Sequence, residues 1–152
     1  MIDLYTDDYF MREALKEASK AELAGEVPVG AVIVADKKII ARTHNQTQLL
    51  QDVTAHAEIL AITSASTALG VKYLGDCTLY VTLEPCNMCA GALYWSKIGR
   101  VVYGASDDNR GFMRYGKEFL HPSTKLEYGV LHKECGDLIR VFFEEKRKTL
   151  IE

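Results

Sequence analysis

Cys86 and Cys89 stand three residues apart in Glu84-Pro85-Cys86-Asn87-Met88-Cys89. On one helical turn that spacing points both sulfurs the same way. Thirty positions before Cys86 lies His56, in Thr54-Ala55-His56-Ala57-Glu58, and its imidazole can come in from a second helix. Two thiolates and one imidazole suit tetrahedral zinc and leave one coordination position open. Zinc lowers the pKa of a water held at that open corner to about 7, which supplies a nucleophile at neutral pH. Glu58 is better placed to take and deliver the proton of that water than to act as a further ligand. A helix N-terminus, with about half a positive charge, favours thiolate over thiol at Cys86. Zinc, a water and a mobile proton together describe hydrolytic attack on an electrophilic carbon.

A CxxC pair also serves in redox sites and as half of a structural zinc site. A structural site needs a fourth ligand, for which His44, His121, His132 and Cys135 are available. Cys77 opens an apolar strand and Cys135 falls on the last predicted helix, so both read as core thiols.

The two chemical segments must be held by helices and strands, and the chain supplies them in order. Residues 8–24 carry Met11, Leu15 and Ala18 at helical spacing, with Gly25 as a stop. Val29–Val34 is a continuous apolar run, as in a strand covered on both faces. A polar turn at Asp36-Lys37-Lys38 leads to a second strand, Ile39–Arg42, giving a hairpin. A helix is expected over 55–68 with Thr54 as N-cap and Gly70 after its end. Cys77–Leu83 alternates as a strand, and Pro85 stands where the next helix begins and runs to about Lys97. Val101–Gly104 is a short strand, 106–125 a polar loop with some helix, Leu126–Val130 a weak strand, and 132–148 a final helix. This order gives a three-layer α/β/α sandwich around a five-stranded mixed sheet. No repeat or linker interrupts it, so residues 1–152 are expected to form one domain.

Composition bounds the rest. The chain has 152 residues, 48% hydrophobic and 26% charged, with a net charge of −3, which argues against disorder as the main state. The longest uncharged run, Ile59–Val71, has 13 residues, too few for a spanning helix of about 20. Asp3, Asp7, Asp8, Glu13 and Glu17 in the first twenty residues are unlike a signal or transit peptide. A cytoplasmic location follows as an expectation, and in that reducing compartment the four cysteines read as ligands or core thiols rather than disulfides. The mildly acidic balance lacks the global positive field of many nucleic-acid binders.

His56-Ala57-Glu58 followed by Pro85-Cys86-Asn87-Met88-Cys89 matches H-x-E…P-C-x-x-C, the known signature of the zinc nucleobase deaminases. The sequence resembles the cytidine deaminase-like superfamily and, within it, is most similar to the bacterial tRNA-specific adenosine deaminases. The resemblance runs from the first helix to about Gly104 and resumes in the C-terminal helix. Its more specific segments are Glu26-Val27-Pro28-Val29-Gly30-Ala31-Val32, Thr54–Glu58 and Leu79–Cys86. It implies His56, Cys86 and Cys89 as zinc ligands and Glu58 as the proton carrier. It further implies that Asn45 contacts the base, that Asp107 contacts the target ribose, and that Val29 and Pro28 shape the pocket wall. The implied reaction is conversion of adenosine to inosine at the wobble position of a tRNA anticodon loop. The resemblance also implies a homodimer, for which the apolar Ala90, Ala92, Leu93 and Tyr94 near the site are available as an interface. Tyr94 and Trp95 read as core or subunit interface.

Some positions depart from the family pattern. Val53 replaces a common proline, 108–115 does not match the usual stretch, and Glu144 and Glu145 interrupt the final basic segment. These departures touch RNA contact rather than the chemistry. Lys97, Arg100, Arg110, Arg114, Lys117 and Lys146-Arg147-Lys148 are candidate phosphate contacts, with Phe112 and Tyr115 as stacking surfaces. Two other readings stand beside this one: a free nucleobase deaminase acting on guanine or a related ring, and a zinc module without activity.

Overall fold

The computed structural model describes residues 4–151; residues 1–3 and 152 of the expected domain lie outside the described residues. Helix α1 spans Asp7–Leu23, β1 Gly30–Ala35, β2 Lys38–His44, α2 Ala57–Leu69, β3 Thr78–Leu83, α3 Asn87–Ser96, β4 Arg100–Ala105, β5 Lys125–Tyr128 and α4 His132–Ile151. Two short 3-10 turns, Phe112–Arg114 and Lys117–Phe119, fill the segment between β4 and β5. The strand order is β2-β1-β3-β4-β5. β1 runs antiparallel to β2 and β3, while β3, β4 and β5 are mutually parallel. The sheet is therefore mixed and five-stranded, as the order of predicted elements required.

Alternation along β1 explains why its run is apolar throughout. Ala31 and Ile33 enter one core with Ala57, Ala61, Leu79, Val81, Leu93 and Val101. Val32 and Val34 enter the other with Phe10, Met11, Ala14, Tyr80 and Cys135. Side chains of successive strand residues point to opposite faces, so α2 and α3 cover one face of the sheet and α1 and α4 the other. Gly30 marks a close approach of α1 to the sheet. A Cβ there would lie 2.1 Å from the Ala14 carbonyl oxygen and 2.3 Å from the Ala18 nitrogen, so only glycine fits.

Three local expectations need correction. Thr54 does not cap α2: its N–H and hydroxyl both donate to Asp52 Oδ1, at 2.8 and 2.7 Å, and His56 takes the N-cap position. Helix α3 begins at Asn87, two residues beyond Pro85, with Cys86 at its N-cap. Trp95 is not a core residue, since it is 75% exposed. Gly70 does end α2, in the left-handed region at φ 66°, where glycine carries no steric penalty.

Candidate active site

The site lies where β2, β3 and β4 end and β1 begins, so the starts of α2 and α3 converge on one edge of the sheet. His56 and Cys86 hold the N-cap positions of α2 and α3, and neither side chain caps its own helix. Both are thereby left to face a common centre, with Cys89 added from the first turn of α3. His56 Nδ1 lies 3.7 Å from Cys86 Sγ and 3.4 Å from Cys89 Sγ, and all three donor atoms fall within 4.8 Å of one another. Tetrahedral zinc with its usual bond lengths sets sulfur and nitrogen donors about 3.5–3.8 Å apart. The donor set and its spacing fit that ion.

The charges in this group depend on one another. Cys86 is pulled down to about 4, chiefly by the hydrogen bond from the Cys89 thiol and then, against the opposing effect of burial, by His56. Cys89 moves upward, because it donates to Cys86 and is buried. The Cys86 contact raises His56. Cys86 is thus the thiol of the pair that ionises more readily, and binding zinc displaces the protons that remain. Glu58 is 4% exposed, and its pKa is pushed up to about 7, first by burial. The coulombic pull of His56 opposes that shift, and the negative charge of Cys86 adds to it. A carboxyl poised near neutrality can both accept and donate a proton.

The alternative fourth ligands are engaged elsewhere. His44 Nδ1 faces Glu17 at 3.5 Å, and His121 Nδ1 lies 2.7 Å from Ser123 Oγ. His132 Nδ1 lies 3.2 Å from the Gly129 carbonyl, and Cys135 is buried in the core on the far face of the sheet. Among the described residues, no further histidine, cysteine or carboxylate joins the group of His56, Cys86 and Cys89. Cys77 is likewise buried, and all four cysteines are free.

Asn45, at the end of β2, is buried, and its Oδ1 accepts the Ala57 N–H at 2.8 Å. Val29 is buried beside it, and its carbonyl accepts the Asn45 N–H at 3.1 Å. Asp107 sits just past β4, where its Oδ1 accepts the N–H groups of Asn109 and Arg110, both at 3.0 Å. Other predicted contacts are buried or already paired. Phe112 is fully buried, so it offers no stacking surface. Arg100 is paired with Asp7 at 2.7 Å and Glu127 at 2.8 Å, and Arg114 donates to the Asn109 carbonyl.

Two buried carboxylates were legible in the sequence only as parts of longer motifs. Glu26 accepts from Thr47 Oγ1 and from the N–H groups of Gln48 and Leu49, which pins the polar loop after Asn45. Those donors hold Glu26 below its ordinary value despite its burial, which pushes the other way. Glu84 accepts the Asp107 N–H at 3.0 Å and the Met113 N–H at 2.9 Å. The signal available was the residue type, since an acid flanking an apolar strand must find donors once buried.

Residues 4–105 match the family described as the cytidine and deoxycytidylate deaminase zinc-binding region. The chain belongs to this family. Its chemistry is zinc-dependent hydrolytic deamination, and zinc is the ion its donor set fits. The deaminase is 47% identical over 147 residues to the tRNA-specific adenosine deaminase of Bacillus subtilis (strain 168), covering 93% of this chain and 91% of the relative. It is also similar to a structure from studies of A-to-I editing by tRNA:A34 deaminases at the wobble position of transfer RNA. That comparison has 42% identity and a TM-score of 0.80, covering 86% of this chain and 98% of the other. Guanine deaminase from Bacillus subtilis shares 43% identity, but over 66% of this deaminase and 65% of that chain, with a TM-score of 0.64.

Proposed function

We propose that the chain converts adenosine to inosine in a tRNA anticodon loop, at the wobble position. The observation that carries this reading is the near full-length likeness, at 47% identity, to a tRNA-specific adenosine deaminase. A loop nucleotide leaves its stack cheaply, which lets a deep centre reach the base.

In this reading His56, Cys86 and Cys89 would hold zinc, and the chemistry it would supply is activation of a water for attack. Glu58 carries a proton from that water to the purine N1 and a second to the departing amine. The C6–N bond breaks, oxygen takes its place, and ammonia leaves. Asn45 uses its Oδ1 on Ala57 N–H and keeps its amide hydrogens for the base. Val29 forms part of the pocket wall, and Asp107 meets the ribose. RNA phosphates run toward a groove of about 370 Å³ between α4 and the Glu26–Gln48 region, where Phe142, Phe143, Lys146 and Arg147 line one side.

We also read residues 1–152 as one domain, because both cores share one sheet, and the protein as cytoplasmic. No helix among the described residues is long and apolar enough to cross a membrane. A homodimer is supported by exposed Leu69, Val71, Tyr73 and Trp95, which lie where α2 and its following turn meet the end of α3. Ala90 and Leu93 are fully buried, so they do not contribute to that surface.

The deciding experiment is a panel of purified protein against an anticodon stem-loop with a wobble adenine, free adenosine, guanine and cytosine. Inosine from the stem-loop alone supports the reading. Turnover of free guanine with none of the stem-loop overturns it.

A further inference from the structure

We infer that Glu84 is a positioning residue that fastens the substrate loop to the metal-bearing turn, an inference that rests on the reading of Asp107 as a substrate contact. Glu84 is 5% exposed and directly precedes Pro85-Cys86. Its backbone continues the sheet, donating to the Ala105 carbonyl at 2.8 Å. Its two carboxylate oxygens divide their work across the loop, one taking the Asp107 N–H at 3.0 Å and the other the Met113 N–H at 2.9 Å. The same turn is stitched to the loop twice more. The Phe112 N–H donates to the Pro85 carbonyl at 2.9 Å, and Cys86 forms an isolated antiparallel bridge with Gly111.

Gly111 shows how closely the carboxylate is enclosed. A Cβ there would lie 2.0 Å from Glu84 Oε2 and 2.6 Å from the Asp107 carbonyl oxygen. The 106–113 loop has no regular ladder of its own; beside the two backbone links and the Asp107 side chain's own bonds within the loop, this buried acceptor pair holds it to the metal-bearing turn. A carboxylate can accept from two N–H groups at once, whereas a glutamine amide presents one acceptor and one donor. Glu84→Gln therefore leaves one loop N–H facing another donor, while side-chain size is kept. Gly111→Ala also crowds the carboxylate, but its Cβ would meet the Asp107 carbonyl oxygen as well, so Glu84→Gln decides and Gly111→Ala only corroborates.

The test measures both variants in the zinc-loaded protein. Metal content by elemental analysis should stay at wild-type level. Amide hydrogen exchange at Asp107 and Met113 should speed up by about tenfold or more for at least one of the two, as expected for losing a bond to a charged acceptor. Exchange within α2 should not change. On the stem-loop, KM should rise about tenfold while kcat falls by less than about threefold, as for lost substrate binding with the reacting centre intact. Unchanged exchange at both amides overturns the inference, and so does loss of zinc, which would make Glu84 a support of the metal turn alone. Faster exchange with unaltered KM overturns it too, by separating the loop from substrate. If the wild-type protein fails to turn over the stem-loop, the tRNA reading fails, while the exchange data still decide whether Glu84 holds the loop.

Discussion

Asn45 Oδ1 accepts the Ala57 N–H at 2.8 Å, so an asparagine at the end of β2 caps the helix that begins between His56 and Glu58. The cap that α2 lacks from its own N-cap residue arrives from twelve positions upstream, fixing both flanking functional side chains to the sheet.

Asn45→Ala should destabilise the protein by about 1–2 kcal/mol, because a buried N–H loses its acceptor at a helix start. Asn45→Asp keeps an acceptor and should retain most of that stability, yet it loses the amide donors needed by a base. Urea melts and stem-loop turnover, run on both variants, separate the two duties. If Asn45→Asp deaminates as well as wild type, Asn45 is a cap and nothing more.

Glu58→Gln should keep zinc and lose about 10²–10⁴-fold in kcat, the usual contribution of a positioned acid–base group. Cys86→Ser should instead lose the metal, going from about one zinc per chain to near none, since a thiolate ligand is removed. Elemental analysis beside single-turnover rates checks both. Normal turnover by Glu58→Gln would falsify the proton-carrier role.

Chelated protein offers a pH signature. Burial lifts Glu58 from its ordinary 4.5 to about 7, so the folded state holds this proton more tightly than the unfolded state does. Its stabilising contribution is complete below about pH 4.5 and is lost as pH rises through about 7. Glu58→Gln has no such loss. The stability of that variant relative to wild type should therefore grow between about pH 4.5 and 7 and level off above. Urea midpoints of both metal-free proteins across this range test it, and a gap constant with pH contradicts the shift.

A tRNA substrate brings phosphates, so KM for the stem-loop should climb about tenfold or more between roughly 50 and 200 mM salt. Lys146→Ala with Arg147→Ala should flatten that slope while leaving zinc in place, as both line the groove beside the Glu26–Gln48 region. Salt-independent KM in the wild-type protein would point to a small neutral ring as substrate.

The His56, Cys86 and Cys89 group was readable from the sequence, with Glu58 beside it, because each half is local. Cys86 and Cys89 share one turn, His56 and Glu58 flank one helix start, and residue type alone dictates what such clusters can bind. The sheet was readable for a similar reason, since the apolar run of β1 reports burial directly, whereas β3, which alternates in sequence, is buried on both faces from Leu79 to Thr82. Tertiary structure alone decided how the loops around the centre are held. Glu84 reaches Asp107 and Met113 across 23 and 29 positions, Arg100 is claimed by Asp7 across 93, and Phe112 turns inward while Trp95 turns out. Hydrophobic period and motif spacing describe a segment against its neighbours in the chain. Which donor satisfies a buried carboxylate, and which aromatic finds a core, depends on segments that meet only after the chain has folded.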